Sequence, residues 1–315
     1  MHPAASVILF TTASGAGYGL LLWLALFALA GLAPTTSLFG LIGLGLALAL
    51  ITTGLLASTF HLGRPERAWR ALSQWRSSWL AREGVAAIAT YVVAGPFALG
   101  WVFLHRVDGP FAAAAALSGA MTIVTVACTA MIYASLKPIR QWSNSWTAPV
   151  YLCLAGATGA LLWVDLTLAL GAFRPAFGWF ALALTALAAL VKLAYWRAID
   201  AQAPRSTLAS ATGLASYGTV RLLESPHTEE NYVMREMGFR VARKHAAKLR
   251  RLAIATLFVV PLLALSCIAL GASPLVAGAA AGLATLSAAV GVAAERWLFF
   301  AEATHVSTLY YGRAG

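Results

Sequence analysis

Long apolar runs separated by short polar connections cover almost the whole chain. The runs fall at about residues 6–32, 37–59, 84–106, 110–134, 148–172, 175–197, 251–271 and 274–300. Each run is long enough for a helix that crosses a bilayer, which takes about 20 residues. No run shows the ~10-residue alternation of polar and apolar positions that a membrane β-barrel requires. The pattern therefore predicts an all-α integral membrane protein with about eight transmembrane helices.

The first run has no Lys or Arg before it and is too long for the apolar core of a signal peptide. We therefore interpret it as the first retained span. We expect residues 1–315 to form a single transmembrane anchor domain whose helices make two four-helix bundles. Residues 198–250, between spans 6 and 7, form a connection long enough to leave the membrane as an extramembrane basic insert.

The composition agrees with a membrane protein. Of the 315 residues, 60% are hydrophobic and 10% are charged, whereas roughly a quarter of residues are charged in soluble proteins. The three cysteines, Cys128, Cys153 and Cys267, each lie within an apolar run and lack CxxC spacing. They predict neither a disulfide framework nor iron–sulfur ligands, and we expect no metal site in this chain.

The basic residues are distributed unequally between the two sides of the membrane. We call face A the side that carries the N-terminus, the connections after spans 2, 4 and 6, and the C-terminus. Face A holds 18 of the 22 Lys and Arg residues, and the opposite side holds only Arg106 and Arg174. Since short connections rich in Lys and Arg stay in the cytoplasm, we expect both termini to be cytoplasmic in a bacterial inner membrane.

The basic insert carries a second signal. Thr228, followed by two glutamates, is typical of a helix start, and cationic residues crowd towards the other end of that helix, as the helix dipole favours. Together with Arg70 of the connection between spans 2 and 3, these cations form a candidate docking surface for an acidic partner: Arg235, Arg240, Arg243, Lys244 and Lys248. Binding of anionic lipid is the alternative, and nucleic acid is not expected.

The connection FHLGRPERAWRALSQWRSSWLAREG, residues 60–84, combines five arginines with three tryptophans. An ideal helix over residues 65–80 would place Trp69, Trp75 and Trp79 on one arc, opposite Arg67 and other polar residues. Tryptophan and arginine both keep one end of the side chain in water, so the pattern indicates a helix in the headgroup layer. A helix that only sets the topology would fit the same pattern.

Ionisable residues within apolar spans are costly, and each is a candidate functional group. Asp165 lies near the side opposite face A, whereas the other intramembrane ionisable residues lie towards face A. If the last helix continues to residue 305, Glu302 and His305 fall on the same side as Glu295. We therefore expect a secondary polar cluster of Lys192, Glu295, Arg296, Glu302 and His305. The alternative is that Glu295 and Arg296 only neutralise neighbouring charges.

His61 and Glu83 lie at the membrane boundary on face A. A histidine and a carboxylate that face a bundle interior can exchange protons with a quinone, whose oxygens change protonation on reduction. A histidine that is simply hydrated at the boundary remains the alternative.

Haem binding is not expected. The six histidines, His2, His61, His105, His227, His245 and His305, all lie at span ends or in connections. Axial ligands of an intramembrane haem would lie deep within facing spans. Electrons would therefore reach the membrane from a partner.

The run ASTFHLGRPERAWRALSQWRSSWLAREG resembles the region between spans 2 and 3 in the DmsC family, the membrane anchor subunits of dimethyl sulfoxide reductase type molybdoenzymes. The family reads HLG-x-P-x-R-A there, with an acidic residue opening the next span. The matching residues are His61, Leu62, Gly63, Pro65, Arg67, Ala68 and Glu83. The eight-span layout extends the likeness over essentially the whole chain.

The resemblance implies an anchor that holds an iron–sulfur subunit of the four-cluster ferredoxin type, which contacts a molybdopterin catalytic subunit. It also implies exchange of electrons with ubiquinone or menaquinone at a site of His61 and Glu83, with Arg64 and Arg67 lining or supporting it. His61 would bond a quinone oxygen, and Glu83 would exchange protons.

The long connection between spans 6 and 7 departs from the dimethyl sulfoxide reductase anchors. It resembles the branch that serves sulfite-oxidising, quinone-reducing molybdoenzymes whose soluble subunits face the cytoplasm. A quinone-reducing anchor of such a complex is the leading hypothesis, and a quinol-oxidising anchor is the alternative. A transporter that uses Lys192, Asp165 and the acidic residues of span 8 as a relay is a further alternative, as is a purely structural anchor, although the sequence lacks the paired broken spans of many transporters.

Overall fold

The computed structural model describes residues 5–60, 62–204, 206–224 and 243–311. Within these residues, eight helices are long and apolar enough to cross a membrane. They are α1 (Ala5–Leu29), α2 (Ser37–Thr59), α3 (Trp79–Phe103), α4 (Gly109–Ala134), α5 (Thr147–Ala169), α6 (Pro175–Ala201), α7 (Ala246–Ala269) and α8 (Pro274–Ala301). The described residues contain no strand beyond an isolated bridge between Ile139 and His305. The prediction of an all-α integral membrane protein is confirmed.

The helix ends follow local sequence signals. Helices α4, α6 and α8 each carry a proline in the first turn, where its missing N–H leaves no hydrogen bond unmade. Gly31 and Gly171 follow α1 and α5 with φ of 65° and 66°. This left-handed conformation closes a helix, and glycine adopts it without steric cost.

Helix α1 lies at the centre of the molecule and packs against α2, α4 and α5. Helix α5 also contacts α6 and α8, and α7 fills the space between α6 and α8. Helices α3 and α4 pack closely, whereas α2 contacts α3 mainly at its Leu99–Phe103 end. The division into two four-helix bundles stays a prediction.

Small residues allow α1 to approach α5 and α2 closely. A Cβ atom added at Gly159 would collide with the backbone of Gly19, and one added at Gly17 would lie 2.7 Å from the Ala47 carbonyl oxygen. Beside the first crossing, Trp23 Nε1 donates to the Gly156 carbonyl oxygen at 2.8 Å. Lipid tails are as apolar as the helix surfaces, so the hydrophobic effect does not drive helices together within a membrane. Close packing of the backbones stabilises the helix pairs instead.

Helices α3 and α7 each contain one π-helical turn, at Leu99–Phe103 and Ala255–Val259. Pro96 lies near the first turn and Pro261 near the second. Because proline lacks an N–H and its ring clashes with the preceding turn, each one disturbs the regular ladder of helix hydrogen bonds. The Ser287 hydroxyl of α8 donates to the Thr256 carbonyl oxygen in the α7 turn at 2.7 Å. The first turn forms the end of α3, whereas the second lies near the middle of α7, so they do not form the matched pair of broken helices typical of transporters.

The predicted α-helix over residues 65–80 is wrong. Pro65–Gln74 form a 3₁₀ helix, and α3 begins at Trp79, five residues earlier than the predicted start of span 3. The Ser78 backbone is extended, and its hydroxyl accepts a hydrogen bond from the Ala81 N–H at 3.4 Å. This N-cap starts a new helix, so Trp79 belongs to α3 and does not share an arc with the tryptophans of the connection.

The insert between α6 and α7 is shorter than the predicted range 198–250. Helix α6 continues to Ala201 and α7 starts at Ala246, so Lys248 lies in a spanning helix. Within the insert, Leu208–Thr212 form a short α-helix with a capping box at Thr207. The predicted helix start at Thr228, with Arg235 and Arg240, lies outside the described residues.

The crossing of α1 and α5 yields a testable prediction. We expect Gly159→Ala to destabilise the protein by about 1–3 kcal/mol, because overpacking a tight contact forces the backbones apart. The measurement is thermal unfolding in detergent. Gly45→Ala is the matched control, since a Cβ at this exposed position meets nothing within 4 Å; equal melting temperatures for the two variants would contradict the prediction.

Candidate functional site

Glu83 lies in the second turn of α3 and is buried, with 5% of its surface exposed. Its Oε1 atom accepts a hydrogen bond from the Thr129 hydroxyl of α4. No described cation is ion-paired with this carboxyl group. The structure therefore places a buried acidic group inside the helix bundle, one hydrogen bond from α4 and without an ion-pair partner among the described residues.

The Thr129 hydroxyl can serve two protonation states of Glu83. It also lies 3.1 Å from the Thr125 carbonyl oxygen, and a hydroxyl has one proton to donate. When Glu83 is a carboxylate, Thr129 donates to it. When Glu83 is protonated, the carboxyl group can donate to Thr129, which then donates to Thr125. The pair can thus gain or lose a proton without leaving a buried group unpaired.

The other residues of the predicted quinone site are placed differently. His61 lies outside the described residues. Arg64 and Arg67 lie on the exposed surface, and Arg67 forms only a long ion pair of 3.8 Å with Glu66. The structure therefore does not bring these arginines into the interior beside Glu83.

The 3₁₀ segment is nevertheless attached to α3. Arg82 donates to the carbonyl oxygens of Trp75 at 2.9 Å and Arg76 at 2.7 Å. A Cβ atom at Gly84 would lie 2.8 Å from Leu72 Cδ2. The residues on both sides of Glu83 in the sequence therefore hold the arginine-rich connection against the start of α3.

A small polar chamber adjoins Thr129 between α1, α4, α5 and α8. Its polar wall includes Tyr18, Thr129, Tyr151 and Arg296. The Tyr18 and Tyr151 hydroxyls and Arg296 Nη2 are buried without a hydrogen-bond partner of normal geometry among the described residues. The centre of a water molecule has about 20 Å³ available there, and a buried water needs at least about 10–15 Å³ together with two to four polar partners. We name this space the polar chamber.

The predicted cluster of Lys192, Glu295 and Arg296 forms a buried ion triad. Glu295 Oε1 pairs with Lys192 Nζ, and its Oε2 accepts from Arg296 Nε at 2.5 Å. All three side chains are at most 2% exposed. Two cations therefore hold Glu295 as a carboxylate, and the triad keeps one excess positive charge at the polar chamber.

Aromatic rings cover both cations of the triad. Lys192 Nζ lies 4.0 Å from the centroid of the Tyr195 ring, and the Arg296 guanidinium lies 4.1 Å from that of Tyr151. Such cation–π contacts partly replace the lost hydration of a buried cation. The rings also explain why the triad is tolerated inside the membrane.

Glu302 and His305 do not join this triad. Glu302 bonds Arg250 at 2.7 Å, and Arg250 also makes two hydrogen bonds to Asp200. Burial raises the pKa of the Glu302 carboxyl group above its ordinary value, and Arg250 acts in the opposite direction. The expectation that His305 continues the last helix is wrong, because α8 ends at Ala301 and His305 bridges to Ile139 instead.

The docking residues also separate into two groups. Arg243 donates to the carbonyl oxygens of Ala301 at 3.0 Å and Ala303 at 2.8 Å, and so caps the end of α8. Lys244 and Lys248 are exposed on face A, as is Arg70 of the 3₁₀ segment. Arg243 therefore has a structural function, whereas the three exposed cations remain candidates for docking.

Sequence reasoning missed the tyrosine and threonine residues of the polar chamber. Tyr18, Thr129 and Tyr151 lie on three helices, and no spacing in the sequence relates them. A weak signal was present, since α4 carries hydroxyl residues at Ser118, Thr122, Thr125 and Thr129, which form one polar stripe. Only the tertiary packing joins this stripe to Arg296.

The ion triad yields a second prediction. We expect Glu295→Gln to cost about 3–5 kcal/mol of stability, because it leaves two buried cations without a counter-ion. Lys192→Met should cost less, since Glu295 and Arg296 remain as a neutral pair. Thermal unfolding and the yield of folded protein in detergent measure both effects, and the reverse order would contradict this account of the triad.

Comparisons with known proteins identify the family. The family model described as DMSO reductase anchor subunit (DmsC) matches residues 1–312. A sulfite dehydrogenase subunit of Allochromatium vinosum is 34% identical over 329 aligned residues, which cover 99% of each chain. No solved structure matches the chain. The chain therefore belongs to the DMSO reductase anchor subunit family and is the multi-pass membrane anchor of an oxidoreductase complex.

Proposed function

We propose that this anchor passes electrons between a partner iron–sulfur subunit and a membrane quinone, and that Glu83 exchanges the accompanying protons. The observation that carries the proposal is the environment of Glu83, a buried carboxyl group with a hydroxyl partner and no counter-ion within the part of the chain that the structure describes. Reduction of a quinone to a quinol consumes two protons along with two electrons. A site for this reaction inside a membrane protein needs a group that can supply those protons.

The contrast with Glu295 supports the choice of Glu83. Two cations pair with Glu295, so protonating it would raise the excess buried charge from one positive charge to two. Glu83 has no such constraint, and Thr129 can satisfy either protonation state. Of the two buried glutamates, Glu83 is therefore the one suited to reversible proton exchange.

His61, Arg64 and Arg67 belong to the same proposed site, at its face A edge. Arg64 and Arg67 are exposed on the connection that Arg82 and Leu72 hold against α3. At this edge they can attract anionic groups or the acidic surface of a partner. They also lie where protons from the aqueous phase would enter.

The similarity to a sulfite dehydrogenase subunit supports quinone reduction as the direction of electron flow. In the proposed complex, a molybdopterin subunit oxidises sulfite and an iron–sulfur subunit of the four-cluster type carries the electrons to this anchor. The family description, an anchor of a DMSO reductase, favours the second candidate function, quinol oxidation. The same residues would then accept protons from quinol.

The charge distribution supports a cytoplasmic location for the partners. Face A carries the basic connections, and cationic connections remain on the cytoplasmic side of the bacterial inner membrane. In the proposed topology, eight crossings return the chain to the side from which it starts, and we assign the start of α1 and the end of α8 to face A. Lys244, Lys248 and Arg70 are exposed there for contact with an acidic partner.

Replacing the proposed proton donor tests this function. We expect Glu83→Gln to leave the complex assembled while slowing quinone-coupled turnover by about a hundredfold, the typical contribution of a positioned acid or base. Glu66→Gln is the matched control, because Glu66 is an exposed carboxylate on the neighbouring connection. Turnover of the purified complex measures the effect, and wild-type rates in Glu83→Gln would remove Glu83 from the mechanism.

Reversing charge on the proposed docking surface provides a separate test. The double variant Lys244→Glu and Lys248→Glu should retain less iron–sulfur subunit than wild type on co-purification, and this difference should shrink as salt is raised, because salt screens both the wild-type attraction and the introduced repulsion. Arg174→Glu changes an exposed cation on the opposite side of the membrane and should retain the partner fully. Equal retention in both variants would show that these lysines do not dock the partner.

A further inference from the structure

An apolar groove runs along the side of the molecule between α1, α2, α5 and α8. Its wall includes Leu9, Leu50, Leu161, Leu162 and Ala289. The groove has a volume of about 310 Å³, at the lower end of the range of about 300–1,000 Å³ for small-molecule sites. Ala289 is exposed on the membrane surface, so the groove is accessible from the lipid.

The groove adjoins the polar chamber. Thr12, Ala16, Thr158 and Val292 line both spaces. We call these four residues the window. Their side chains are small, so the window separates an apolar space from a polar one without a bulky barrier.

The polar chamber beside the groove offers hydrogen-bond donors that lack well-placed acceptors. The Tyr18 and Tyr151 hydroxyls and Arg296 Nη2 are buried there without a partner of normal geometry among the described residues. Buried donors are almost always satisfied by protein, water or ligand. An occupant that suits the whole space therefore has an apolar part for the groove and an acceptor oxygen for the chamber.

We propose that the membrane quinone binds in the groove, with its isoprenoid tail along Leu161 and Leu162 and its ring at the window. One ring oxygen faces the chamber, where the unpartnered donors reach it through bound water. The ring itself stays at the window, because the chamber has room for water but not for a six-membered ring. This inference rests on the proposed function and specifies where its substrate binds.

The arrangement connects the ring to Glu83 through groups already described. The Glu83 carboxyl group donates its proton to Thr129 as the Thr129 proton moves to chamber water and a water proton moves to the ring oxygen. Two electrons come from the partner's clusters. The first proton passes by this route to the ring oxygen that faces the chamber, and the second passes by the same route to the other ring oxygen after the ring turns in the groove, which gives quinol. After each transfer Glu83 is a carboxylate, and it takes up a new proton from face A. Arg296 favours this direction, because a cation makes neighbouring water a better proton donor.

Filling the groove tests the assignment. In the assembled complex, we expect Ala289→Trp to raise the KM for a quinone with an isoprenoid tail by about tenfold, the effect of losing the burial of roughly two methylene groups. The KM for a tail-less quinone of the same ring should change much less. Ala279→Trp is the matched control, since Ala279 is also exposed on α8 but does not line the groove.

A second measurement makes the test independent of folding. A quinone with a photoreactive group on its tail should label peptides of α5 and α8 that line the groove, and excess untagged quinone should prevent the labelling. Labelling elsewhere, or equal KM values in Ala289→Trp and wild type, would overturn the assignment. Retention of a phospholipid in the groove with unchanged KM values would also overturn it and identify lipid as the occupant.

The outcome separates this inference from the proposed function. If Glu83→Gln slows turnover while Ala289→Trp leaves the KM for the tailed quinone unchanged, the quinone function stands and the groove assignment fails. If Glu83→Gln turns over at the wild-type rate, the role proposed for Glu83 fails even where the groove is labelled.

Discussion

An ionisable side chain buried inside a membrane protein must be paired with an opposite charge, be hydrogen-bonded or become neutral by gaining or losing a proton. This constraint governs the interior of the anchor. Glu295 meets it with two cations, and those cations meet it with aromatic rings. Glu83 meets it with one hydroxyl, which leaves protonation as its means of avoiding a buried charge. The same physical requirement thus gives the bundle a permanently charged ion triad around Glu295 and a titratable carboxyl group at Glu83.

The polar interior depends on close packing of the helices around it. Gly19 and Gly159 let α1 and α5 approach, and Gly291 lets α8 approach the interrupted turn of α7. These contacts bring Tyr18, Tyr151 and Arg296 to one chamber. Beside Ala289 the helices leave a groove that is lined by leucine and alanine side chains. Residue size along the helices therefore decides which spaces are closed, polar or open to lipid.

The sequence predicts the spans well, because the bilayer imposes a length and an apolar composition that can be read residue by residue. It also identifies Glu83, Lys192, Glu295 and Arg296, since charge in an apolar run is visible without a fold. It fails where a local break decides the structure: Ser78 divides the expected helix over residues 65–80, and α8 stops before His305. The chamber could not be predicted, because its hydroxyl groups look like ordinary polar residues until three helices bring them together.

The attachment of the arginine-rich connection to α3 has a thermodynamic consequence. Leu72 rests on Gly84, and Arg82 holds the carbonyl oxygens of Trp75 and Arg76, so the residues next to Glu83 in the chain are also the anchor points of an exposed segment. If assembly shifts that segment, the local field at the carboxyl group shifts with it. Linkage is reciprocal. If binding of a partner changes the proton affinity of Glu83, then protonation of Glu83 changes the affinity for that partner by the same factor. The protonation of Glu83 during redox turnover and the affinity of the anchor for its partner would then be thermodynamically coupled.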